Sequence, residues 1–386
     1  MKCSIASILL GLMTQEIIVS CYSTSSPVIS NRRMKKKAKK NKKKKAADMA
    51  SMTPMTPTDM SMSSPYRWLQ ILHSSDNESQ FYDIDILEYK ASEYAKLSSG
   101  LMDLAMAEDM KSIHVTAGDH TLPGPFYQAS SEVPAYGKPG LADIAIFNAV
   151  GLDANGVGNH EFDGGIDDFA FMLSMAEYPF VTVNLDFSSV EVAPESPPIV
   201  IGEDGADCAK VGGTIVKSCY IDLEDYKVGI IGRSPAEFFN VIANPSETLP
   251  GLDFFGGKDG NNQPLASAVP MVLEQVDILE SQGIDIIVLL DHAQDWTGDP
   301  LSANILRGID VIVAAGSTGF MASSNPIGAF NALREGDVGE AEYPTVRTDM
   351  EGDTVLVINS DQLFLYIGQL MVKFDEDGKI ISWDGR

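Results

Sequence analysis

The sequence predicts an α/β chain of layered sheets covered by helices, and three observations predict it. From residue 68 onward, apolar strand-like runs alternate with helix-like segments. The most apolar runs, 284–290 and 308–314, lie between helices and lack the in–out alternation of a half-solvated strand, which marks sheet covered on both faces. The stretch 354–383 instead shows strands joined by tight turns, notably Asp375-Glu376-Asp377-Gly378, so antiparallel partners are added late.

In chain order, residues 68–74 form the first strand, and 86–110 a helix with Ala, Leu and Met at three- and four-residue spacing. Residues 113–117 are a strand and 140–150 a helix. Short strands follow at 155–157 and 180–185, separated by a helix over 165–177. Residues 227–232 are a buried strand, 269–282 an amphipathic helix, 284–290 a strand, 300–307 a helix and 308–314 another strand. Cys208 and Cys219 flank Gly212-Gly213, a pair that suits a tight hairpin turn. A disulfide across that hairpin and two free thiols are both open readings. No internal repeat is visible.

The chain has 386 residues, 44% of them hydrophobic and 21% charged, which excludes wholesale disorder. Its net charge of -26 is unevenly spread: residues 32–45 hold eleven of the 28 Lys and Arg, leaving a strongly acidic body that repels nucleic-acid backbones. No run of eighteen apolar residues occurs after residue 25. Residues 1–25, with Lys2, a short apolar segment and small residues after it, are expected to be a signal peptide, or a lipoprotein leader if Cys21 is acylated. Residues 26–65, Lys-rich and then Ser/Thr/Pro/Met-rich, are expected to be a linker, and 66–386 one folded domain. The Lys-rich run has two other readings, a nuclear address and a patch for anionic surfaces. The leader implies a secreted, cell-surface or periplasmic protein.

In layered α/β folds, ligands gather beyond the carboxyl ends of the strands. Four of those ends carry metal-binding chemistry: Asp76 and Glu78, then Asp119, then Gly158-Asn159-His160-Glu161-Phe162-Asp163, then Asp291-His292-Ala293-Gln294. One strand-end Asp is usually a cap or turn residue. Carboxylates, an amide and imidazoles at four such ends point to a metal site.

Ile71-Leu72-His73-Ser74-Ser75-Asp76, Ala117-Gly118-Asp119 and above all Gly158-Asn159-His160-Glu161-Phe162-Asp163 resemble the calcineurin-like metallophosphoesterases, of the 5′-nucleotidase / 2′,3′-cyclic phosphodiesterase type. The likeness covers roughly residues 68–386. It implies an α-β-β-α sandwich of two mixed sheets with two divalent metals on the loops between them, and metal-dependent hydrolysis of a small phosphorylated substrate such as a nucleotide. Carried over by position, Asp76 and Glu78 would bind one metal, Asp119 would bridge both, and Asn159 and His292 would bind the second. His160 would stabilise the phosphoryl group or protonate the leaving oxygen, with Asp163 orienting its ring.

The sequence departs from that pattern twice. The family's Asp-x-His is here Asp76-Asn77-Glu78, and its Gly-Gly-His-Ser-His segment falls on 314–319, where Gly316 and Thr318 replace both histidines. His73, His114 and His120 are not placed to compensate. The remaining oxygen-rich donor set favours Mn²⁺, Mg²⁺ or Ca²⁺ over Zn²⁺, and Ser317, Thr318, backbone carbonyls, water or Gln294 are left to fill the gaps. The alternative expectation is a retired enzyme that serves as a metal- or ligand-binding module. Nucleotidases of this type carry a further C-terminal domain for the base, so the substrate is smaller, the base site lies elsewhere, or the sequence is a fragment. Phe126, Tyr127, Phe238 and Phe239 are expected in loops near the site, as ring-stacking or packing residues.

Overall fold

The computed structural model describes residues 66–82, 89–235, 238–242, 244–255, 268–294, 303–317, 319–323, 333–334, 336–360 and 362–385. The expected leader and linker, Thr318 and part of the expected helix 300–307 lie outside the described residues.

The strands are β1 (Arg67–Ser74), β2 (Lys111–Thr116), β3 (Ala154–Gly156), β4 (Phe180–Val181), β5 (Leu185–Asp186), β6 (Ala206–Asp207), β7 (Ile215–Val216), β8 (Ser218–Asp222) and β9 (Lys227–Arg233). They continue as β10 (Asp253–Phe254), β11 (Ile287–Asp291), β12 (Val311–Ala314), β13 (Met321–Ala322), β14 (Ala341–Glu342), β15 (Thr345–Thr348), β16 (Thr354–Ile358), β17 (Gly368–Phe374) and β18 (Ile380–Gly385). The helices are α1 (Lys90–Ala107), α2 (Pro125–Ala129), α3 (Leu141–Val150), α4 (Gly165–Met175), α5 (Pro245–Thr248) and α6 (Val269–Ser281).

Two seven-stranded sheets carry the fold, ordered β18-β17-β1-β2-β3-β4-β7 and β15-β16-β12-β11-β9-β8-β6. Each has a parallel centre, with β1 through β4 and β7 in the first and β9, β11, β12 and β16 in the second. Antiparallel strands flank both centres. Leu69, Ile71, Ile113 and Val115 of the first sheet share one core with Ile230, Val288, Leu290 and Val313 of the second. Burial of that apolar surface is what holds the layers together. Gln70 and Ser74, on the other face of β1, reach α1 instead, through Leu101 O at 3.3 Å and the Tyr94 hydroxyl at 2.9 Å. The period-two alternation of β1 thus divides its residues between the two layers. On α1, Ala91, Tyr94, Ser98, Leu101 and Ala105 are buried; on α6, Val272, Val276 and Leu279 are. Both are single stripes at helical spacing, as expected for helices that cover a sheet. The layered α-β-β-α sandwich of mixed sheets is as expected.

Three local expectations are corrected. Residues 208–219 do not form a hairpin. The Gly212-Gly213 turn docks on the segment after α4, where Gly213 N–H donates to Tyr178 O at 3.1 Å, and β7 joins the first sheet while β8 joins the second. The disulfide itself is present, joining Cys208 and Cys219 with Cα atoms 5.2 Å apart. Residues 180–185 are not one strand. Asn184 bonds Ser234 from both ends of its amide, at 3.1 and 2.9 Å, and draws the chain from the first sheet toward the second. Finally, Phe126 and Tyr127 are not loop residues but buried members of α2, so they pack rather than stack a ligand; Phe238 is buried as well.

Candidate metal centre

The loops after β1, β2, β3 and β11 converge at one end of the sandwich. The first two are laced together by their backbones. Asp76 N–H donates to Gly118 O at 3.0 Å, Glu78 N–H to Asp119 O at 3.1 Å and Ser79 N–H to His120 O at 3.0 Å. Asp76, Glu78, Ser79, Asp119 and Gln294 all take left-handed backbone conformations, φ 50–65°. Such conformations are costly for non-glycine residues and persist where the surroundings enforce them, often at functional sites. Gly118, at φ 101°, has no alternative: a Cβ there would lie 2.5 Å from Gly158 N and 2.9 Å from His292 Nδ1.

Asp76, Asp119 and His292 are buried, and each offers a ligand atom within 4.8 Å of the other two. His292 Nδ1 is bonded to Ala117 O at 2.7 Å, which makes Nδ1 the donor and turns Nε2 toward the carboxylates. Nε2 lies 3.0 Å from Asp119 Oδ2, in ion-pair range, but has no well-aligned hydrogen bond. A buried imidazole nitrogen without a hydrogen bond, beside two carboxylates, fits a divalent cation. Glu78 is half-buried beside them, its pKa pushed up to about 7 by burial and by Asp76. Burial likewise pushes Asp76 up to about 6. Burial would raise Asp119 too, but His292 outweighs it and holds Asp119 below the usual carboxylate range. Burial opposes the charge on His292, yet Asp119 and then Asp76 raise its pKa. Crowded carboxylates around one imidazole concentrate negative potential where a cation would sit.

Asn159 is buried, and its Oδ1 accepts from Gln294 Nε2. His160 N–H donates to Asp119 Oδ1 at 2.8 Å, and His160 Nδ1 meets Asp163 Oδ2 at 2.6 Å. Burial opposes a charged ring, but the Asp163 hydrogen bond and the charge of Asp119 outweigh it and push His160 up to about 9. Asp163 thus stands against the Nδ1 side of the His160 ring. His73, His114 and His120 are buried and engaged elsewhere, with the Tyr343 hydroxyl, the Tyr94 hydroxyl and Thr116 Oγ1. Burial pushes them down to about 3, 4 and 3, and none substitutes for the absent histidines.

Three features were not anticipated. Glu161, buried, accepts from Gly158 N–H at 2.9 Å and His120 N–H at 2.8 Å, and so fastens the β2 and β3 loops to each other. Arg233 and Asp291 form a buried two-pronged ion pair next to His292, whose own N–H donates to Arg233 O at 2.9 Å. A charged residue directly after each of two apolar runs, 227–232 and 284–290, was the available signal. Third, Gly316 N–H reaches both Asp76 oxygens, at 3.1 and 3.2 Å. Gly316 has φ 85°, and a Cβ would lie 2.8 Å from Gln294 backbone atoms, so a histidine could not enter at 316 without displacing that loop.

No protein-family model matches the chain. Human 5′-nucleotidase is 27% identical over 246 residues, 63% of this chain and 36% of that protein. The solved structure of a 5′-nucleotidase precursor from Thermus thermophilus superposes with TM-score 0.61 at 24% identity, over 83% of this chain and 54% of that one. A calcineurin-like phosphoesterase from Bacillus subtilis superposes with TM-score 0.53 at 19% identity, over 83% of this chain and 90% of that one. The chain spans about half or less of the length of the curated relatives it matches. In fold the chain is similar to these phosphoesterases, and in sequence it is similar to the 5′-nucleotidases.

Proposed function

We propose that the chain is a metal-dependent phosphoric ester hydrolase of the phosphatase or 5′-nucleotidase kind, acting on a small phosphorylated substrate such as a nucleoside monophosphate. The observation that carries this reading is the meeting of Asp76, Asp119 and the His292 Nε2 atom beside the His160–Asp163 pair. Asp76, Glu78, Asp119, Asn159 and His292 would hold two divalent ions, with Asp119 shared. Bound ions supply Lewis acidity and a nucleophilic water at neutral pH.

The protein's own share is positioning and proton supply. Asp163 holds the Nδ1 side of His160 and keeps the ring charged at neutral pH, which leaves Nε2 to face a phosphoryl oxygen or the leaving oxygen. The Asp119 bond to the His160 amide ties the acid to the metal-binding loop, so the two parts of the site keep one spacing. Oxygen donors outnumber the single imidazole, which favours Mn²⁺, Mg²⁺ or Ca²⁺. A disulfide implies an oxidising compartment and supports placement outside the cytosol, in keeping with the leader pattern. No helix among the described residues is long and apolar enough to cross a membrane.

The second reading, a retired enzyme that keeps only metal or ligand binding, is favoured by one observation: the Gly316 amide occupies Asp76 where the family has an imidazole. Phosphate release separates the two. The purified chain is offered AMP, a bis-ester and an aryl phosphate with Mn²⁺, Mg²⁺, Ca²⁺ or Zn²⁺, beside Asp119→Ala. Turnover abolished by chelator and absent from the variant is the expected result. A folded chain no faster than Asp119→Ala with every metal sinks the hydrolase reading.

A further inference from the structure

Three side-chain oxygens are buried without a hydrogen-bond partner at the carboxyl ends of two neighbouring strands. Ser317 Oγ lies three residues beyond β12, and Asn359 Oδ1 and Ser360 Oγ follow directly on β16. β12 and β16 pair in parallel, so these ends lie side by side. Asn359 and Ser360 are only 1% and 5% exposed. Asn359 Nδ2 donates to Gly319 O at 3.0 Å, which settles which end of the amide is left over. Buried oxygens without partners are rare and costly, and a cluster of them calls for a ligand.

The same two strand ends hold Asp76. Gly316, next to Ser317, donates its N–H to the Asp76 carboxylate, and Leu363, three residues past Ser360, donates its N–H to the Asp76 carbonyl at 2.9 Å. Strand register adds a direction. Leu290, Val313 and Ile358 form one row across β11, β12 and β16. Two residues further on, the row continues as His292, Ala315 and Ser360. With side chains alternating between faces, Ser360 falls on the same side of the sheet as the His292 imidazole.

Resting on the reading of the site as a divalent metal centre, we infer that Ser317 and Ser360 supply neutral oxygen donors to the ion on the Asp76 side, in place of the two imidazoles missing at 316 and 318. A neutral hydroxyl oxygen is a hard ligand, so this replacement tilts the centre toward Mn²⁺, Mg²⁺ and Ca²⁺ and away from Zn²⁺. It also accounts for Gly316: with a donor arriving from β16, the chain at 316 contributes an amide to hold Asp76 and needs no side chain.

The test uses the full chain stripped with chelator and titrated with Mn²⁺ by calorimetry, with Ser360→Ala, Ser317→Ala and Ser360→Cys. Ser360→Ala and Ser317→Ala are expected to weaken Mn²⁺ binding by roughly tenfold or more. Ser360→Ala should leave the melting temperature of the stripped protein unchanged or raised, because the hydroxyl has no partner to lose. Ser360→Cys should move the preference toward Cd²⁺, with a thiolate-to-metal absorption band growing during titration. Wild-type Mn²⁺ affinity in both alanine variants, with no such band in the cysteine variant, overturns the inference. So does weaker binding that merely follows a lower melting temperature of the stripped Ser360→Ala protein. Failure of the wild-type chain to take up any divalent ion overturns the metal reading itself, and is distinguishable because it needs no variant.

Discussion

Two acidic clusters stand at opposite ends of the second sheet, and they are built differently. At the carboxyl ends, Asp76 and Asp119 are buried with His292, whose Nε2 has no hydrogen bond. At the amino ends, Asp349, Glu351 and Asp353 also lie close enough to share an ion, beside Asp285, Asp310 and Lys379. There the carboxylates are already employed. Asp349 Oδ1 accepts the N–H groups of Glu351 and Asp353, at 2.8 and 2.9 Å, and Asp353 Oδ2 meets Lys379 Nζ at 2.6 Å. Carboxylates that cap a turn and pair with a lysine at the surface are satisfied by the protein and water. Those at the other end are desolvated and crowded around an imidazole Nε2 that has no hydrogen bond, and their backbone is held in left-handed conformations. Acid count does not separate a metal centre from an acidic turn; unmet coordination does.

The largest effect that would sharpen this contrast is expected at Asp119. Asp119→Ala removes the carboxylate shared by His292 and the His160 amide, and turnover should fall to background with metal uptake lost, as measured by metal content after dialysis. Retention of a full metal complement would place the centre elsewhere. Next in size, His160→Ala should slow turnover by about 10²–10⁴-fold while metal content stays near wild type. Because His160 carries a pKa of about 9, turnover on alkyl phosphates should decline as pH rises through that value, and the variant should lack that limb. A wild-type rate indifferent to pH between 8 and 10 would remove His160 from the acid role.

Stability should respond to pH at the carboxyl-end cluster. Asp76, Glu78 and Glu161 are raised to about 6, 7 and 7, above their ordinary values, chiefly by burial. A carboxyl with a raised folded pKa favours the folded state while protonated, below its unfolded pKa near 4, and loses that advantage as pH rises through the folded pKa. The stripped protein should therefore melt lower at pH 8 than at pH 5.5, and Mn²⁺ should restore more at pH 8, since cation and proton compete for the same oxygens. Equal protection by Mn²⁺ at both values would count against binding at these groups.

How much of this was legible beforehand follows from the range of each interaction. The parallel strands of both sheets could be read from runs such as 284–290 because burial on both faces leaves a compositional trace. The Asn159–Asp163 string could be read because its parts act within four residues, and the Asp163–His160 bond is local. The 208–219 segment misled because a Gly-Gly pair specifies a sharp turn without specifying its partners, and here β7 and β8 go to different sheets. Glu161, Arg233–Asp291 and the Gly316–Asp76 bond were out of reach for the same reason. Each joins residues 41, 58 or 240 positions apart, where only the fold makes neighbours.

The smallest expected effect is the one that tests whether the amino-end cluster is inert. Asp353 meets Lys379 with both side chains about half exposed, so the pair is screened by water and salt and contributes about 0–1 kcal/mol. Asp353→Asn should lower the melting temperature by about 2 °C or less. It should leave Mn²⁺ stoichiometry unchanged and turnover within about twofold of wild type, since none of the groups argued to bind metal or move protons lies on that side of the sheet. The outcome that would break the comparison is loss of one bound ion per chain with turnover preserved. A second centre would then exist at the strands' amino ends, and satisfied carboxylates would have to open their turn to form it. Loss of turnover along with the ion would go further and tie the two ends of the sheet together, a coupling for which neither cluster's hydrogen bonds provide a route.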